Sequence, residues 1–150
     1  MSVDTIIGTW HQTTGAKLFT ADEVLNAYSK GQKEFGSAIS RVLTKELEDN
    51  LKRIQSIGEQ LFKSINSMEI RCARVLLKID DLSSFKLLFM VEEKDYSLEE
   101  LRKVYATLID AELSANTDTF HFSASVLSDN PKVNKQRVFS DGYYYCYGKQ

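Results

Sequence analysis

Histidine and cysteine are scarce in this chain, two of each among 150 residues, and proline occurs once. Cys72 and Cys146 stand far apart, each on a strand-like run, which is neither a disulfide framework nor a zinc spacing, so free thiols in a reducing compartment are expected. Paired histidine ligands, a Gly-rich phosphate loop and a nucleophile-elbow pattern are all missing, so no metal and no cofactor is expected. No segment reaches the roughly 18 uninterrupted apolar residues of a membrane span. Met1-Ser2-Val3-Asp4-Thr5-Ile6-Ile7 lacks the basic stretch and long apolar run of a secretory signal, and the expected compartment is the cytoplasm, with no membrane association. A dominant charge is lacking too: 19 Lys and Arg oppose 21 Asp and Glu, interspersed along the chain, so no overall field draws it to nucleic acid or anionic lipid.

What is present describes an ordinary globular chain, 43% hydrophobic and 27% charged, of a length that serves one domain with one core. A single domain over 1–150 is expected, with an N-terminal arm (1–19), a long helical segment (20–66) and a β-β-α-β-β-β body (68–148). Within the arm, Thr5 to Trp10 has strand character but Gly8, Gly15 and Thr13-Thr14 break any period. Trp10, the only tryptophan, is expected to anchor the arm on the core, with anchoring on a partner as the alternative.

Thr20-Ala21-Asp22-Glu23 forms a capping box that opens the helix. Apolar residues then recur three or four apart at Val24, Tyr28, Phe35, Ile39, Val42, Leu47, Leu51, Ile54, Ile57, Leu61 and Ile65, while Lys45, Glu46, Glu48, Asp49, Lys52 and Arg53 mark the wet face. Gly31 and Gly36 weaken the helix and set the place for a break or bend. From Lys33 to Asn66 it would be about 50 Å long, more than a domain of this size is wide. Part of the stripe is therefore expected to meet a protein partner or a second copy, with Leu47, Leu51, Ile54, Ile57 and Leu61 as the interface.

After Ser67 the period becomes two: Ala73, Val75, Leu77 and Ile79 alternate with Cys72, Arg74, Leu76 and Lys78. Asp80-Asp81-Leu82-Ser83-Ser84 is a turn, and Phe85 to Val91 returns as a central strand, making a hairpin. Ser97-Leu98-Glu99-Glu100 is a second capping box, with Leu98, Leu101, Val104, Tyr105, Leu108, Ile109 and Leu113 at helical spacing and an end near Ala115-Asn116. Phe120 to Val126 alternates as a strand with one wet face, Asp129-Asn130-Pro131-Lys132 turns, and strands Val133 to Phe139 and Tyr143 to Tyr147 form a last hairpin at Ser140-Asp141-Gly142. The expected architecture is α+β, one antiparallel sheet with helices packed on one face.

Three features compete with a binding module. Arg74, two residues beyond Cys72 on the expected strand face, would lower the thiol pKa in a small cysteine enzyme, but no base is placed beside it by His11 or His121. Asp80-Asp81 and Glu92-Glu93, with Asp95, have the carboxylates of a hydrolase or cation site, although turns and helix starts favour acids anyway. Tyr143-Tyr144-Tyr145-Cys146-Tyr147, near Lys132, Lys135 and Arg137, offers stacking and phosphate contacts for single-stranded nucleic acid, or simply strand aromatics that pack across a sheet. The reading with most behind it is a non-enzymatic protein-binding module of adaptor, chaperone or toxin-neutralising type, with nucleic-acid binding or Cys72 chemistry as alternatives.

Overall fold

The computed structural model describes residues 10–13, 37–93 and 96–148. The elements are β1 (His11–Gln12), α1 (Ser37–Ser67), β2 (Cys72–Asp81), β3 (Ser84–Glu92), α2 (Leu98–Ala115), β4 (His121–Asp129), α3 (Lys135–Ser140) and β5 (Tyr145–Gly148). The strands form one sheet in the order β1-β5-β2-β3-β4, with β1 a two-residue edge. The capping box at Thr20, the glycine bend and the early stripe through Phe35 lie outside the described residues, as do Thr5 to Thr9 and Asp95.

The β2-β3 hairpin forms as its alternation predicts, with Asp81 Oδ1 accepting from the Ser83 amide at 2.9 Å across the turn. The capping box at Ser97 is also made: its hydroxyl accepts from the Glu100 amide at 3.1 Å, while the Glu100 carboxylate accepts from the Ser97 amide at 3.3 Å. Both motifs are local, so a short stretch of chain suffices to specify them.

The sheet is mixed, which corrects the antiparallel expectation: β3 and β4 pair in parallel from Ser84↔His121 to Glu92↔Asp129. The reason is α2. Its 18 residues span about 27 Å, close to the length of a nine-residue strand, so the helix carries the chain back to the level where β3 began. A strand entered after such a crossover runs parallel to the one before it.

The expected strand Val133 to Phe139 is instead α3, so the element order is β-β-α-β-α-β after α1, with no C-terminal hairpin among the described residues. Asn134 caps α3, its Oδ1 accepting from the Arg137 amide at 3.1 Å, and the polar run Asn134-Lys135-Gln136-Arg137 has no alternation to hold a strand. Gly142 does take the left-handed conformation, φ 116°, but it ends α3 rather than joining two strands.

Helices also lie on both faces of the sheet. α1 and α2 cover one face, where Leu47, Leu51, Ile54, Leu61, Ile65, Val104 and Leu108 pack with Val75, Leu77, Leu87, Phe89 and Phe122. A second, smaller cluster of Leu76, Leu88, Met90 and Cys146 fills the other face, against Val138 and Phe139 of α3. Trp10 is buried against Gly58 of α1 and Tyr147 of β5. The Thr13 amide and hydroxyl donate to the carbonyls of Tyr144 and Tyr143 at 2.9 and 2.8 Å, fixing β1 along β5.

Candidate interaction surface

The long-helix residues expected to meet a partner face the chain's own sheet. Leu47, Leu51, Ile54 and Leu61 are buried in the main core and Ile57 packs half-buried against it. The excess length of the helix lies elsewhere. Asn50 donates to the Leu82 carbonyl at the hairpin turn and Asn66 to the Cys72 carbonyl at the strand start, so residues 50–66 run the length of β2 and the overhang is N-terminal. Val42 there is largely exposed.

Among the described residues, α2 leaves a broader apolar surface uncovered. Its inner side is tied down by Val104 and Leu108, both buried, and by polar clamps along its second half. Glu112 Oε1 accepts from the Ala124 amide of β4 at 2.7 Å, Asn116 Oδ1 accepts from the Phe122 amide at 2.9 Å, and Arg53 donates to the Ala115 carbonyl at 2.7 Å while its guanidinium sits over Phe120. On the outer side Leu98, Tyr105, Ile109 and Leu113 are 66, 49, 52 and 77% exposed. At 100° per residue these four fall within roughly a quarter of the helix circumference, one above another. Arg102 lies within the stripe, and Glu99, Lys103 and Asp110 border it on the side away from the sheet.

Sequence periodicity gave α2 a single stripe, but its seven apolar positions span well over the width that one buried face needs. That excess width is the signal in the sequence for a second apolar face.

The competing sites are taken apart by the fold. A β-bulge separates Cys72, paired with Val91, from Arg74, paired with Met90, and turns the two side chains to opposite sides of the sheet. Burial pushes the Cys72 thiol up to about 12 and the Cys146 thiol to about 11, so both keep their protons at neutral pH. His11 pairs with Cys146 across β1 and β5, and burial, with a contribution from Arg74, lowers its pKa. The tyrosine run makes no exposed platform: Tyr145 is buried, Tyr147 packs on Trp10 and Phe62, and Tyr143 lies on the second face near Lys78. Asp80 pairs with Lys78 and Lys86, and Glu92 with Arg71. Among the described residues no group of three His, Cys, Asp or Glu is placed to hold a metal ion, and no helix is long and apolar enough to cross a membrane.

One polar cluster was invisible in the sequence. The Arg74 and Asp129 side chains, 7 and 11% exposed, meet at 3.7 Å on the second face, and Lys135 reaches the same carboxylate at 3.4 Å. This joins the start of β2 to the end of β4 and the first turn of α3, beside an open cleft of about 760 Å³ that Asp129, Lys135, Glu92 and Glu93 help to line. Arg74 and Lys135 share the single carboxylate of Asp129, and the buried Arg74 Nε has no hydrogen-bond partner among the described residues. Neither a family model, nor a curated protein, nor a solved structure matches this chain.

Proposed function

We propose that the protein is a non-enzymatic protein-binding module whose interface is the outer face of α2. The observation that carries this reading is the stripe of Leu98, Tyr105, Ile109 and Leu113 on a helix whose opposite side is already anchored. Their exposed surface is on the order of 500 Å², towards the upper end of the largest apolar patch a monomer usually leaves in water. A protein surface can bury such a stripe with little reorganisation of the backbone, because helix and clamps are formed beforehand.

The test is affinity retrieval of the tagged full-length chain from its native cells, with nuclease treatment, beside Ile109→Asp/Leu113→Asp. Both positions are solvent-exposed, so the variant should keep the wild-type circular dichroism and melting temperature. Stoichiometric recovery of a protein, another or the untagged chain, that the variant loses supports the reading. Recovery of nothing, or recovery that the folded variant retains, overturns it.

A further inference from the structure

We infer that the occupant of the α2 stripe is a second copy of this chain, with the two α2 helices antiparallel about a two-fold axis at Ala106. This rests on the reading of the stripe as an interface and names its partner. The argument begins with Arg102. It is the one charged residue inside the stripe, between Leu98 and Tyr105 along the helix, and an apolar partner surface would strip its water without replacing it. A partner must therefore bring a carboxylate to that level.

The chain itself supplies one in the required place. Asp110 is four residues beyond Ala106, as Arg102 is four before it, so an antiparallel copy sets each Arg102 beside Asp110 of the second copy, twice over. The same operation sets Leu98 level with Ser114, one residue from Leu113 of the second copy, and leaves the small Ala106 at the crossing, where the backbones are closest. Parallel copies would face Arg102 with Arg102 and align the two helix dipoles, both unfavourable. Two such stripes bury at most on the order of 1,000 Å² together, near the lower limit for a specific interface, which places the dimer among weak, transient contacts.

The experiment measures sedimentation of the purified full-length chain up to about 200 µM, a range suited to an interface of this size. It adds single-cysteine probes under mild oxidation, with Cys72 and Cys146 buried and thus quiet. Expected are a concentration-dependent dimer, an Ala106→Cys chain that links to itself, a Leu98→Cys chain that links to a Leu113→Cys chain, and a Leu113→Cys chain that does not link to itself. Arg102→Asp should weaken the dimer about tenfold or more, and adding Asp110→Arg should restore it to within about threefold.

A chain that stays monomeric at the top concentration overturns the second copy, as does a dimer in which every probe position links to itself or one that Arg102→Asp leaves unchanged. If that monomer still retrieves a different protein through Ile109 and Leu113, the binding module stands and only its partner is reassigned. A monomer that retrieves nothing sinks both.

Discussion

α1 and α2 lie side by side on the same face of the sheet and both carry apolar stripes, yet they dispose of them in opposite ways. From Leu47 to Ile65 the stripe of α1 goes into the core, and the residues it turns outward, such as Lys45, Asp49 and Lys52, are charged. α2 buries only Val104 and Leu108 fully and leaves four large apolar side chains in water. The difference follows from what lies beneath. α1 crosses the central strands β2 and β3, whereas α2 packs chiefly on β4, the edge strand. A helix over a sheet edge has less surface to cover it, so a stripe as wide as that of α2 overflows. The strength of an apolar pattern thus indicates how much surface must be buried, and topology decides whether the chain buries it alone.

Truncating one residue from each stripe should give the largest contrast between the two helices. Ile54→Ala removes a side chain fully enclosed between α1 and the sheet and should cost about 3–4 kcal/mol, from lost transfer energy and the cavity left behind. Ile109→Ala, at half exposure, should change the monomer's stability by less than about 1 kcal/mol. Urea unfolding of the two variants at low protein concentration reads the difference. Equal losses would mean that α2 is covered in solution within a single chain.

How far these roles could be read in advance depends on the range of the interactions that set them. The Ser97-Glu100 box and the turn at Asp81-Ser83 were legible because their donors and acceptors lie within three residues of each other. The run from Phe120 to Val126 was legible as a strand but not in its direction, because parallel pairing with β3 depends on the length of a helix compared with that of a strand. Val133 to Phe139 has apolar ends compatible with a strand, but the cap at Asn134 makes its centre helical. The bulge between Cys72 and Arg74 has no local signature, and it alone converts a supposed thiolate activator into a buried partner of Asp129, 55 residues away in sequence.

Cys72 offers a second probe of the core layer that α1 completes. Its pKa lies near 9 in an unfolded chain and is raised to about 12 in the fold, so between those values the unfolded chain gives up a proton that the native state holds. The thiol's contribution to stability is full below about pH 9 and is lost progressively as pH rises towards 12, reaching about 2 kcal/mol lost near pH 10.5. Cys72→Val removes the titrating group at similar volume. The difference between wild-type and variant unfolding free energies should therefore be flat below pH 9 and grow above it. A difference that stays constant to about pH 10.5 would show that α1 does not seal this part of the core from water.

The smallest expected effect concerns how each helix is held. α1 is secured by its buried stripe, but the first turn of α2 has little buried surface, with Leu98 exposed, and rests on the Ser97 cap. Ser97→Ala should cost about 1 kcal/mol and raise amide exchange selectively over residues 98–101. Ser97→Asp, which restores an acceptor for the Glu100 amide and places a negative charge at the positive helix end, should recover most of it. Because Leu98 opens the stripe, fraying of that turn should also weaken self-association, and the aspartate variant should rescue both properties together. Loss of stability with no loss of association would remove Leu98 from the interface and shorten the contact to the half of α2 that its clamps hold in place.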